Sequence, residues 1–181
     1  TDSGETVSLH SALGENYALL RFMYASCADV NGCPLTAYVF YQLKRNMQVD
    51  SILADNLKLV SLSFDPARDT PSVIQKYAAN FSITNSTGSW DFLTSSSETE
   101  LIPILEAYNQ DVQRKRFIDG SNTEELIHIL RVFLIDPKKR IRNIYSVPYL
   151  HSEIIYRDLL TLLKNEEISP EQPREGMLLG Q

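Results

Sequence analysis

Residues 17–35 read Tyr-Ala-Leu-Leu-Arg-Phe-Met-Tyr-Ala-Ser-Cys-Ala-Asp-Val-Asn-Gly-Cys-Pro-Leu. The first eight, Tyr17 to Tyr24, form a nearly continuous apolar run, the pattern of a strand covered on both faces. From Pro34 to Met47 the pattern changes to a helix: Pro34 suits the first turn, and Leu35, Val39, Phe40 and Leu43 recur at helical spacing. The chain's 2 cysteines, Cys27 and Cys33, both fall in the turn between these elements.

Working outward, Leu57 to Phe64 repeats the buried-strand pattern. Thr70-Pro71 opens a second helix, with Thr70 placed to cap it and Val73, Ile74, Tyr77, Ala78 and Phe81 on one face. Further helices are expected over Glu98 to Asn109 and Tyr149 to Lys164. Arg131 to Asp136 and Arg140 to Tyr145, joined by Pro137-Lys138-Lys139, read as a β-hairpin. This order predicts one α/β domain of thioredoxin-like type over residues 1–165, a central mixed sheet flanked by helices. An N-terminal hairpin is expected within Thr1 to Ala12. Residues 166–181, with two prolines and a glutamate-rich composition, are expected to be a flexible tail.

The composition of the 181 residues is that of a globular chain, 43% hydrophobic and 22% charged. With 17 basic and 23 acidic residues the net charge is -6. Arg114-Lys115-Arg116 and Lys138-Lys139-Arg140 are short basic runs without a continuous stripe, which argues against nucleic-acid binding. No apolar run approaches the roughly 18 residues needed to cross a bilayer. The polar start Thr1-Asp2-Ser3-Gly4 leaves room for a signal or membrane tether ahead of it. A close cysteine pair suits any compartment and does not choose one.

The cysteine turn is where chemistry is expected. Unpaired amides and the dipole at a helix start favour an anion, which should lower the thiol pKa of Cys33. Thiolate is both the nucleophile of disulfide exchange and a ligand for soft metals. The pair can therefore be a redox couple, a metal clip, a static disulfide or two small buried side chains. Asp29 would oppose thiolate formation if it pointed inward, so it is expected to face solvent. Two thiolates rarely complete a metal site, and the chain has 3 histidines to offer a third ligand. His10 and His151 read as surface residues. His128 stands ahead of the strand Arg131 to Asp136, where the chain should pass beside the cysteine turn; a purely structural histidine is the competing reading.

Several stretches, in order, resemble the Sco/SenC family of copper-binding, thioredoxin-fold proteins of cytochrome c oxidase assembly. They are Leu19 to Cys27, Cys33-Pro34-Leu35, Ser61 to Pro71 with its Asp65-Pro66-Ala67-Arg68-Asp69-Thr70-Pro71 signature, Gly88 to Thr94 around Trp90, and His128 eight residues before Asp136. The resemblance covers most of residues 5–163. It implies that Cys27, Cys33 and His128 bind copper. Two thiolates and an imidazole suit Cu(I), with Cu(II) a second accessible state. It implies delivery to an acceptor, cytochrome c oxidase subunit II or another cuproprotein. It also implies an extracytoplasmic setting, the periplasm or the mitochondrial intermembrane space, with a possible membrane anchor. Asp65, Pro66, Arg68 and Asp69 read as organisers of their loop and Trp90 as core or pocket wall.

The sequence departs from the family pattern twice. Five residues separate the cysteines where the family has three, the extra pair being Asn31-Gly32, at a loop-closure cost well under about 1 kcal/mol. Ile127 replaces the acidic residue usual before the ligand histidine. The rival readings are a thiol-disulfide oxidoreductase in which Cys27 and Cys33 are the redox pair, and a redox or copper sensor module.

Overall fold

The computed structural model describes residues 1–84 and 87–168. The chain opens with a single helical turn, α1 (Leu9–Ala12), followed by strand β1 (Tyr17–Met23), helix α2 (Cys33–Asn46), helix α3 (Ser51–Asn56) and strand β2 (Leu57–Ser63). Helix α4 (Pro71–Ala79), strand β3 (Ser89–Leu93) and helix α5 (Glu98–Ala107) complete the first half. Strands β4 (Val112–Arg116), β5 (Asn122–His128), β6 (Val132–Ile135) and β7 (Ile141–Tyr145) follow, then helix α6 (Ser152–Ile168).

Five strands form one mixed sheet in the order β3-β2-β1-β6-β7. β1, β2 and β3 run parallel, while β6 and β7 return antiparallel as the expected hairpin. β1 lies at the centre and is buried along its whole length. Its successive side chains serve opposite faces of the sheet. Leu20 and Phe22 pack toward Ile74 of α4 and Leu101 of α5; Tyr17 and Leu19 pack toward Phe40 and Leu43 of α2 and Ile155 and Leu159 of α6. The layered α/β architecture is the one read from the sequence.

Three local expectations change. Thr1 to Ala12 forms no hairpin. Ser8 accepts a hydrogen bond from the Ser11 amide and starts the turn α1, while the Thr1 hydroxyl bonds back to Glu5. These short-range side-chain bonds compete with strand pairing, and one bond, from the Asp2 amide to the Phe92 carbonyl, ties the segment to β3. Thr70 occupies the position before α4, but its hydroxyl pairs with Ser72 and leaves the helix amides uncapped. Helix α6 starts at Ser152, after a 3-10 turn over Val147–Tyr149, and reaches Ile168, where the expected helix spans Tyr149 to Lys164. The remainder of the expected tail lies outside the described residues.

β4 and β5 form a separate two-stranded antiparallel ribbon in which Val112 pairs with His128. No such ribbon follows from the sequence: apart from half-buried Val112, every residue of β4 is exposed. By this ribbon the chain carries His128 back over the cysteine turn.

Candidate metal centre

Cys33 is the first residue of α2 and only 2% exposed, with Pro34 next to it in the first turn. Cys27 sits half-buried in the loop after β1. The start of that loop is clamped from outside: Asp69, buried beneath the sheet's end, accepts the Ala25 amide at 2.9 Å and the Ser63 hydroxyl at 2.6 Å. Asp65 pairs with Arg68 beside it, so this signature organises the loop, as read from the sequence.

The five residues between the cysteines fold into a turn closed on Asp29. Its side chain accepts the Asn31 amide at 3.1 Å and its carbonyl accepts the Gly32 amide at 2.8 Å. Asp29 is exposed to solvent, as expected. Gly32 lies so close to it that a Cβ would stand 3.2 Å from the Asp29 carbonyl oxygen. The turn closes the loop so that the Cys33 thiol reaches the Cys27 sulfur.

The protons are not distributed as the helix-start argument predicts. The Cys27 thiol is pulled down to about 5, chiefly because the Cys33 thiol donates to its sulfur, with the amides of Cys33 and Asp29 adding to the effect against the cost of burial. Cys33 is pushed up, first by its own hydrogen bond to Cys27 and then by burial. The amide at the start of α2 therefore serves the sulfur across the loop, Cys27, and not the sulfur of its own residue. Tyr24 beside them is pushed up to about 12 by burial and by the Cys27 charge, and remains a neutral phenol.

His128 closes the third side. Its ring lies against Phe64, centroids 4.7 Å apart, and its Nε2 stands 3.8 Å from Cys33 Sγ. Burial lowers its pKa, only partly offset by the Ile129 backbone and the charges of Cys27 and Asp29, so the imidazole is neutral and free to ligate. Nδ1 is buried and makes no hydrogen bond of ordinary geometry among the described residues. That orphaned nitrogen is where a ligating histidine normally finds a supporting partner. The preceding side chain, Ile127, is exposed and apolar and cannot serve as one.

A thiolate about 2.3 Å and an imidazole nitrogen about 2.0 Å from one ion, at a trigonal angle, stand roughly 3.7 Å apart. The Cys33–His128 separation fits that arrangement, and the donor set is soft, as Cu(I) prefers. The fit is open, not closed: among the described residues no three histidine, cysteine or acidic side chains are gathered into a finished metal cage. A groove of about 1160 Å³ runs between the cysteine loop and the ribbon, lined among others by Cys27, Asp29, Lys115, Phe117 and His128. An entering group can reach Cys27 and His128 from there, with Cys33 buried behind them. His10 on α1 and His151 ahead of α6 are exposed surface residues.

Two contributors escaped the sequence reading. The clamp of Asp69 on Ala25 spans 44 residues and has no local signal. Arg21, within an apolar run, is fully buried and bonds to the backbone of Cys33. Its one sequence signal is a charge in the middle of a strand that is otherwise apolar on both faces.

Residues 1–164 match a family described as SCO1/SenC. The SCO1 protein homolog of Bacillus subtilis is 27% identical over 144 residues, covering 79% of this chain and 68% of that protein. Among solved structures, ScoI of Bradyrhizobium japonicum with copper bound superposes with a TM-score of 0.67 at 23% identity, over 88% of this chain and 92% of that one. A SCO1/SenC family lipoprotein from Bacillus anthracis gives a TM-score of 0.67 at 22% identity, over 84% of each chain. These likenesses carry the thioredoxin-like fold.

Proposed function

The chain belongs to the SCO1/SenC family, and from that premise we propose that it takes up copper as Cu(I) on Cys27, Cys33 and His128 and passes it to an acceptor. The observation that carries this reading is the approach of His128 Nε2 to Cys33 Sγ at 3.8 Å, with the Cys33 thiol donating to Cys27 and Cys27 lining an open groove. Copper is cargo in this scheme. As it enters, Cys33 gives up the proton it holds toward Cys27 to solvent, and His128, already beside Cys33, serves as a neutral ligand. Departure is the reverse: ligands of the acceptor enter through the groove and replace these three one at a time, so no free ion is released. The family points to the copper site of cytochrome c oxidase as destination, with subunit II or another cuproprotein as the acceptor. An extracytoplasmic, membrane-anchored setting is part of the proposal, supported by the lipoprotein among the structural relatives. No helix among the described residues is long and apolar enough to cross a membrane.

The test is anaerobic titration of the reduced protein with Cu(I) against a competing chelator. Cys27→Ser and Cys33→Ser should each abolish tight binding. His128→Ala should weaken it by at least the 10- to 100-fold that even a supporting contact to a metal ligand is worth. Binding by His128→Ala as tight as by the parent would sink the three-ligand reading.

The low Cys27 pKa favours one second reading, thiol-disulfide exchange. The Cys27 thiolate would attack a partner disulfide and release one partner thiolate; Cys33, losing its proton, would then attack Cys27, release the second thiolate and close the Cys27–Cys33 disulfide. Exchange activity in the copper-free protein, undiminished in His128→Ala, is the result that would favour it.

A further inference from the structure

Arg21 is the largest fully buried side chain of the molecule among the described residues, and its surroundings are neutral throughout. Nε donates to Ser61 Oγ at 2.7 Å; Nη1 donates to Thr36 Oγ1 at 2.9 Å and to the Cys33 carbonyl at 3.1 Å. Nη2 reaches the Tyr77 hydroxyl at 3.4 Å and Met23 Sδ at 3.8 Å. The guanidinium carbon lies 5.3 Å from the Phe40 ring centre and 5.6 Å from that of Trp90, so aromatic rings shield it from solvent. Trp90 in turn donates to the same Ser61 hydroxyl, fixing the cage.

Three features of this position oppose a cation. It is removed from water, no carboxylate pairs with it among the described residues, and it sits at the start of α2, where the helix dipole favours anions. Buried charges ordinarily have a partner of opposite sign. The anion that can form nearest Arg21 is the sulfur of Cys33, whose carbonyl it holds and whose thiol bonds to Cys27 across the loop.

We propose that Arg21 is the built-in counter-charge of the dithiol site, selecting its anionic states over its neutral ones. Resting on the copper reading above, the charge count is simple. Cu(I) with two thiolates and a neutral imidazole carries one negative charge, which Arg21 cancels. Cu(II) with the same ligands is neutral and leaves Arg21 uncompensated, and so does the Cys27–Cys33 disulfide. Arg21 thus favours Cu(I) over Cu(II) and the reduced pair over the oxidised one. It does so without touching the metal, from behind the helix start.

The test compares the protein with Arg21→Gln, Arg21→Met and Arg21→Lys, each checked for folding by near-ultraviolet circular dichroism. An opposite charge within a few ångströms shifts an ionic equilibrium by a factor of about ten or more. The two neutral variants should bind Cu(I) about tenfold less tightly relative to Cu(II), lowering the one-electron copper midpoint by about 59 mV. In the copper-free protein the same tenfold change lowers the dithiol–disulfide midpoint by about 30 mV. Arg21→Lys, which keeps the charge, should stay within about threefold of the parent in both. Unchanged midpoints in the neutral variants overturn the proposal. So does an Arg21→Lys protein as altered as Arg21→Gln, or neutral variants that fail to fold while Arg21→Lys folds, since either assigns Arg21 to structure alone. If the parent takes up no Cu(I), the copper reading fails by itself, and the dithiol midpoints still decide the role of Arg21.

Discussion

Cys33 and His128 face each other at 3.8 Å, yet the chain behind each is held in a different way. Behind Cys33 lie Thr36 of the first turn of α2, the caged Arg21 and the central strand β1, all buried. Behind His128 lies a two-stranded ribbon that belongs to no larger sheet, with most of β4 exposed. Its ties to the body are few: Leu126 and Val112 lean on the core, Phe64 meets the His128 ring, and the Tyr24 hydroxyl reaches the Leu126 carbonyl at 3.5 Å. An isolated two-stranded hairpin is marginal in water. The difference teaches that the two sides of one site can differ in support: one wall rests on the buried sheet, the other on a ribbon that leans on the core at a few points.

The largest effect that would break this comparison is dynamic. Amides of β4 and β5 should exchange with deuterium at least about a hundredfold faster than those of β1 and β2 in the metal-free protein, and copper should slow the ribbon far more than the sheet. Equal protection of ribbon and central sheet would remove the distinction. Next in size, Asp69→Ala should cost about 2 kcal/mol in chemical denaturation, because it strands the half-buried Ala25 amide and the buried Ser63 hydroxyl. The matching cut on the ribbon, Lys115→Ala, removes an exposed pair with Glu125 and should cost under about 0.5 kcal/mol. A ribbon cut as costly as the core cut contradicts the two-wall picture.

The smallest effect sharpens it through protons. At pH 7 Cys27, pulled down to about 5, has already lost its proton, and His128, lowered by burial, carries none to give. Cys33, pushed up, still holds one. Cu(I) uptake should therefore release about one proton, all of it from the fixed wall, and apparent affinity should rise about tenfold per pH unit near neutrality. Below about pH 5, where Cys27 also takes up its proton, the slope should steepen toward two protons per ion. Chelator competition across pH measures both, and a two-proton slope already at pH 7 would mean that Cys27 does not rest as thiolate.

The sheet was legible wherever burial imposes a pattern. β1 and β2 are apolar runs because both their faces are covered, and the β6–β7 hairpin announces itself by its turn residues. The ribbon was not legible, because Val112-Gln-Arg-Lys-Arg116 has no apolar face to impose one; only pairing with β5 makes it a strand. α3 is a single short stretch started by the Asp50 side chain, too brief for periodicity to register. That Cys27, Cys33 and His128 come together was readable, but the ownership of the proton was not. It depends on which sulfur the amides of Asp29 and Cys33 reach, and that is fixed only by how the Asp29 turn folds. Arg21 was hidden for the opposite reason: a charge inside an apolar strand has no meaning until its neighbours from α2, β2, β3 and α4 are assembled around it.

The Asp29 turn has a consequence for how such a loop can change over generations. The segment is pinned at one end by Asp69 on Ala25 and at the other by the helix beginning at Cys33; between the pins Val30 and Asn31 are exposed, while Gly32 is buried against Asp29. Val30 is 74% exposed. Asn31, next to it, lines the groove. Positions 30 and 31 are thus the place to vary sequence, or to graft a short recognition segment, when partner choice is to be changed and the chemistry kept.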